Sequence, residues 1–114
     1  MGTAATHAAT VDWELLSRFR EAVKQRYPDA RILLFGSRAR GHSHTGSDYD
    51  FIVVSPAFQG VSPLWRGQQL YRAWATLLPP VDVDLLCATP EEYEAARTRP
   101  TSWISEADRE AVPI

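Results

Sequence analysis

The strongest constraint on the fold comes from two short apolar runs that each carry a pair of aspartates. Asp48 and Asp50 open a run that continues to Val54, and Asp82 and Asp84 alternate with valine and leucine in a later run. Side chains two residues apart on a strand leave the same face of a sheet. Both runs therefore predict buried strands with an acidic face, and the two acidic faces converge if the strands are neighbours.

The rest of the chain predicts a small sheet with helices. Residues 31–35 form a third apolar run, which we expect to be a short strand ending at Gly36. An apolar stripe every four residues predicts a first helix, and a cap residue followed by proline predicts later helix starts at Ser62 and Thr89. We place helices at residues 12–27, 62–77, from 89 onward and 102–111. This order predicts an α+β domain, a two-layer α/β arrangement with helices packed on a small mixed sheet.

Composition narrows the class of protein. The chain has 114 residues, a net charge of −2 and 45 % hydrophobic residues, as expected for one globular domain. We expect residues 10–114 to form that domain and residues 1–9 to be a disordered tail. The acidic balance predicts no general affinity for nucleic acid. Without an apolar run of the ~20 residues that span a bilayer, and with Cys87 as the single cysteine, the chain is expected in the cytoplasm with no membrane partner.

The turn after the first strand has the features of a phosphate site. Gly36 lets a ligand approach the backbone closely, and Ser37 adds a hydroxyl donor. Arg38 and Arg40 add positive charge that suits phosphate. A glycine-serine pair is common by itself. It becomes informative here because ten residues separate it from the acidic strand that begins at Asp48.

The aspartates have the features of a metal site. Paired carboxylates raise each other's pKa unless a cation lies between them, and Mg²⁺ commonly binds one or two carboxylates together with substrate phosphates. Asp48, Asp50 and one later aspartate could hold two ions about 4 Å apart, the arrangement used for in-line phosphoryl displacement. The alternative is a strand whose exposed face simply carries acids. Aromatic residues are interpreted as core: Tyr49 faces away from the acids, and the four tryptophans are expected in the core rather than as stacking platforms.

With these residues placed, the chain resembles the minimal nucleotidyltransferases of the DNA polymerase β superfamily. That family has Gly-Ser, a spacer, Asp-x-Asp and a third aspartate on a later strand. Here the pattern is Gly36-Ser37, then Asp48-Tyr49-Asp50, then Asp84. The resemblance covers about residues 11 to 112. The combined motif is specific, although its parts are not.

The resemblance implies a polymerase-β-like palm and a metal-dependent transfer of a nucleoside monophosphate. By position, Asp48, Asp50 and Asp84 would be the catalytic metal ligands, for two Mg²⁺ ions or for Mn²⁺. Asp84 is preferred to Asp82 because it lies five residues before a Thr-Pro-Glu-Glu segment, as in similar sequences. Gly36 and Ser37 would hold the phosphates of ATP or another nucleoside triphosphate, with Arg38 and Arg40 assisting.

The resemblance also implies a partner. Such minimal chains are often antitoxins of HEPN-domain toxins, which they neutralise by adding AMP to a tyrosine hydroxyl or by binding. Two alternatives stay open: a catalytically silent module that sequesters a HEPN partner, and an adenylyltransferase of a small hydroxylated molecule. The acceptor, the preferred nucleotide and the oligomeric state, including a homo-oligomer, are not predicted.

Overall fold

A computed structural model describes residues 11–41 and 46–114 of the chain. The tail predicted at residues 1–9 lies outside the described residues. The described part contains a four-stranded mixed sheet with the strand order β3-β2-β1-β4. Its strands are β1 (Arg31–Phe35), β2 (Tyr49–Val54), β3 (Val83–Ala88) and β4 (Val112–Pro113). The small mixed sheet with helices packed on it is therefore confirmed.

Six α-helices and one 3₁₀ turn surround this sheet in the described residues. They are α1 (Trp13–Arg26), α2 (Ser37–Arg40), a 3₁₀ turn (Pro56–Phe58), α3 (Pro63–Arg66), α4 (Gln68–Thr76), α5 (Pro90–Arg97) and α6 (Trp103–Glu110). The predicted cap residues are used. Asp12 accepts a hydrogen bond from the backbone N–H of Leu15 at the start of α1, and Thr89 forms a reciprocal capping box with Glu92 at the start of α5.

Strand pairing brings the two acidic runs together. β2 runs antiparallel to β1 and parallel to β3. Because β2 and β3 are neighbours, the acidic faces converge as the sequence predicts. Asp50 is paired in register with Asp84 on one side and with Phe35 on the other.

Apolar side chains cover both faces of the sheet. On one face, Phe19 of α1 and Trp74 of α4 pack at 5.2 Å between ring centroids, and Tyr49 and Phe51 of β2 join the same cluster. The prediction that Tyr49 is a core residue is confirmed, since it is 2 % exposed. On the other face, α5 and α6 pack over the ends of β2 and β3 that lie away from the aspartates. The buried residues of that second cluster are Leu33, Ile52, Val54, Ala88, Tyr93 and Ala107.

The helix predicted at residues 62–77 is divided in two at Gly67. A Cβ atom there would lie 3.0 Å from the ring of Tyr71, so the absence of a side chain gives this ring its place. The hydroxyl of Tyr71 accepts a hydrogen bond from the backbone N–H of Leu85 at 3.0 Å. The break in the helix is thus accompanied by a contact with the edge strand β3. Because this contact joins distant segments, the local sequence does not reveal it.

Three of the four tryptophans are not core residues, and that prediction was wrong. Trp74 is buried, but Trp13, Trp65 and Trp103 are 54 %, 60 % and 58 % exposed. All three lie in short helices or in a first helical turn, where the buried face is made by other side chains. Within the described part of the chain, no helix combines the length and apolar character needed to cross a membrane.

Candidate active site

The candidate site lies on the half of a sheet face that α5 and α6 leave open. Along β2, Ile52 and Val54 are buried beneath these helices, whereas Asp50 on the same face is half-buried. Along β3, Ala88 is buried and Asp84 is exposed. The half of this sheet face that the helices cover is apolar, and the half that they leave open is acidic. The carboxylates therefore lie at an accessible edge of the core.

Asp50 and Asp84 form the centre of this site. They are register partners on adjacent parallel strands, and their side chains are close enough to share a hydrogen bond. Burial, together with the charges of Asp84 and Asp48, raises the pKa of the Asp50 carboxyl to about 6, while the charge of Arg40 opposes this shift. A carboxylate crowded in this way is strongly stabilised by a cation.

The other two aspartates occupy different places. Asp48 immediately precedes β2, where it is exposed and near enough to raise the pKa of Asp50. Asp82 precedes β3, and its backbone carbonyl accepts a hydrogen bond from the N–H of Tyr49 at 3.1 Å. Asp84 is thus the later aspartate that lies beside Asp50.

Gly36 closes one side of the acidic centre. Its φ of 77° and ψ of −160° lie in a backbone region that is essentially restricted to glycine. A Cβ atom at this position would lie 3.1 Å from Cγ of Asp50 and closer still to Oδ2. Ser37 follows as the first residue of α2. The turn predicted to hold phosphate therefore packs directly against the predicted metal ligand.

Arg38 is buried and contacts both neighbours of Asp48 in the chain. Its Nε and Nη2 donate hydrogen bonds to the backbone carbonyl of Ser47 at 3.0 and 2.7 Å. Its guanidinium lies 4.2 Å from the ring centroid of Tyr49. Arg38 thus holds the approach to β2, a role that the sequence did not indicate. Its predicted contact with phosphate stays a prediction.

Arg40 lies at the rim of the site. It forms an ion pair with Glu110 of α6 at 2.7 Å, and its side chain is 46 % exposed. Its charge still reaches Asp50, whose pKa it lowers. An exposed arginine in such a pair can exchange its carboxylate for a ligand phosphate at small cost, since exposed pairs contribute about 0–1 kcal/mol.

The carboxylates of the site can supply some of the ligands of a divalent cation, and the substrate would have to supply others. Within residues 11–41 and 46–114, no three His, Cys, Asp or Glu side chains form a ready metal-binding cluster. Asp50 and Asp84 nevertheless form a crowded pair with a third carboxylate nearby. This donor set suits Mg²⁺, which binds one or two carboxylates and completes its shell with waters and substrate phosphates.

Comparisons with known proteins identify the family of the chain. A family model described as a nucleotidyltransferase domain matches residues 16–76. This match contains β1, the Gly36 turn and the Asp48-Tyr49-Asp50 motif, whereas Asp84 lies beyond it. A search of curated proteins gave no match.

A solved structure shows the same fold. It is the crystal structure of a protein from Sulfolobus solfataricus that is described as a candidate nucleotidyltransferase. The two chains are 20 % identical with a TM-score of 0.59, and the similarity covers 88 % of this chain and 76 % of the other. The family model matches more than half of the chain, and the protein belongs to the nucleotidyltransferase domain family.

Proposed function

We propose that this protein is a metal-dependent nucleotidyltransferase that transfers AMP from ATP to a hydroxyl group of a partner protein. We further propose that it acts in the cytoplasm as the antitoxin of a HEPN/minimal-nucleotidyltransferase pair. The family supports nucleotidyl transfer. The protein acceptor, the metal and the toxin–antitoxin role are proposals that rest on the resemblance of the motifs.

The position of Asp50 is the observation on which the proposal depends. Asp50 is the register partner of Asp84, and the Gly36 turn packs against it. Elements far apart in the sequence thus bring two carboxylates and a phosphate-type turn to one point. A protein that only binds a partner has no use for a half-buried pair of like charges, because their repulsion raises the free energy of the folded state.

In the proposed reaction, Asp48, Asp50 and Asp84 would hold the cation and the triphosphate would lie against the Gly36 turn. Bound Mg²⁺ or Mn²⁺ would lower the pKa of the attacking hydroxyl and offset charge on the leaving group. The acceptor oxygen forms a bond to the α-phosphorus while the bond to the bridging oxygen breaks, and pyrophosphate leaves. Asp84 is exposed at this point and accepts the proton of the acceptor hydroxyl.

The phosphate end of the site follows from Gly36 and its neighbours. The side of Gly36 that has no Cβ faces the Asp50 carboxylate, so in this proposal the β- and γ-phosphates lie against the backbone of the Gly36-Ser37 turn beside it. The hydroxyl of Ser37 donates to them, and Arg40 contributes charge from the rim. A HEPN-domain protein is the proposed acceptor, and the open half of the sheet face leaves Asp84 accessible to its hydroxyl.

The direct test is a transfer assay with Mg²⁺ and ATP labelled at the α-phosphate, in lysate of the source organism. We expect one labelled protein band with the wild type and about a hundredfold less label with Asp84→Asn, because the group that accepts the proton is lost. The matched control is Asp82→Asn, an exposed aspartate two residues away, which should retain transfer.

The outcomes separate the proposed function from its alternatives. A labelled small molecule in place of a protein band would identify a small hydroxylated acceptor. A partner that co-purifies equally with wild type and Asp84→Asn, in the absence of any label, would identify a silent binding module. Equal labelling by both variants and the wild type would exclude Asp84 from catalysis.

A further inference from the structure

Trp103 differs from the other exposed tryptophans in its position. Its ring packs against Phe35 with 6.2 Å between centroids, while 58 % of the residue remains exposed. Phe35 is the register partner of Asp50. Trp103, Phe35, Asp50 and Asp84 therefore follow one another across the sheet, and the tryptophan borders the acidic centre on the side of β1.

A groove of about 330 Å³ connects Trp103 with the phosphate turn. It is lined by Phe35, Gly36, Arg40, Trp103, Glu106 and Glu110, together with Ala107. This volume is at the lower end of the range for small-molecule sites. Since Gly36 is shared by the groove and the acidic centre, a ligand with its phosphates at this turn can extend into the groove without leaving the protein surface.

We propose that this groove binds the base of the nucleoside triphosphate, with a purine stacked on Trp103 and its N–H groups donating to Glu106. The inference rests on the proposed function, which provides the phosphate end of the ligand. Base stacking on an aromatic side chain contributes about 1–3 kcal/mol per base. Purines are favoured because their larger π-face covers more of an indole.

The charges of the groove suit a base rather than more phosphate. In the ligand-free protein, the charge of Glu110 is balanced by Arg40. Glu106 is exposed and has no ion pair within 4.0 Å among the described residues. Trp103 and Glu106 are three residues apart on α6, so their side chains are neighbours on one helix face. An uncompensated carboxylate repels phosphate and accepts hydrogen bonds from the N–H groups of a base.

The test compares two probes that differ in the base and ribose. The non-transferable analogue α,β-methylene-ATP contains the whole ligand, whereas inorganic tripolyphosphate contains only the phosphate chain. We would titrate both by calorimetry in the presence of Mg²⁺. We expect Trp103→Leu to weaken binding of the ATP analogue about tenfold and to leave binding of tripolyphosphate unchanged. Trp103→Phe should recover most of the lost affinity because it retains an aromatic face.

The chain provides a matched control in Trp65, which is 60 % exposed and lies in α3. Trp65→Leu removes an equally exposed indole and should change neither affinity. Glu106→Gln should alter the ratio of affinities for purine and pyrimidine analogues without changing tripolyphosphate binding. Melting temperatures of all variants establish that they are folded.

The proposed function and this inference fail in different ways. If the wild type binds neither probe, both are overturned. If it binds the ATP analogue and Trp103→Leu binds it equally well, the base site is wrong while nucleotide binding stands. Loss of a co-purifying partner protein in that variant would then assign Trp103 to a protein interface.

Discussion

Gly36 lies directly against the carboxylate of Asp50, so that a Cβ atom at position 36 would come within 3.1 Å of Cγ of Asp50. The two residues belong to different elements, the turn after β1 and the strand β2. Their contact joins the predicted phosphate site to the predicted metal site.

The first prediction concerns Gly36→Ala. Gly60 provides a matched control, because it has the same φ of 77° but a Cβ atom added there would meet nothing within 4 Å. Gly60→Ala should cost about 1–2 kcal/mol through its positive φ alone. Gly36→Ala should cost about 1–3 kcal/mol more, because the new carbon displaces Asp50 and because a ψ of −160° at this φ adds backbone strain for any residue with a side chain. Urea unfolding measures both values, and equal losses would show that the contact with Asp50 is tolerated.

The second prediction is a pH dependence caused by Asp50. Its pKa is raised from 3.8 to about 6 in the folded protein. The folded state therefore binds the proton more tightly than the unfolded state, and its stability decreases as the pH rises from about 4 through 6. Without divalent metal, Asp50→Asn should have a higher melting temperature than the wild type at pH 7.5 and lose this advantage near pH 4. Asp82→Asn is the control, and an advantage of Asp50→Asn that does not change with pH would contradict the assignment.

The third prediction concerns added metal. A cation that binds only the folded protein raises the melting temperature with concentration. We expect millimolar Mg²⁺ together with α,β-methylene-ATP to stabilise the wild type more than the nucleotide alone does. The extra stabilisation should vanish in Asp50→Asn and Asp84→Asn and persist in Asp82→Asn. Its persistence in all three variants would place the metal elsewhere.

The fourth prediction separates two roles of Arg38. If its bonds to the Ser47 carbonyl hold the approach to Asp48, Arg38→Gln should lower the free energy of unfolding by about 1.5–3 kcal/mol. A contact with phosphate alone predicts no loss of stability in the nucleotide-free protein. The control is Arg40→Gln, which removes an exposed ion pair and should cost at most about 1 kcal/mol. Chemical denaturation without ligand distinguishes the two roles.

Much of the architecture could be predicted from local sequence signals. The apolar runs of β1, β2 and β3 are short and bounded by glycine, proline or aspartate, and each forms a strand. The Thr89 cap and the apolar stripe of α1 depend on neighbours three and four residues away. The local sequence is therefore sufficient to predict both helices. β4 escaped prediction because a strand of two residues has no periodicity of its own.

For the site, the sequence by itself determined which residue types are available: the glycine-serine turn, the paired aspartates and their spacing, and with these the family. Only the tertiary structure decided which of them meet. The parallel register places Asp84 beside Asp50, and packing directs Arg38 to the Ser47 carbonyl. The exposure of Trp103 depends on where α6 lies on the sheet. Contacts between distant segments depend on strand register and on the volume of the packed core. Neither of these can be predicted from a local stretch of sequence.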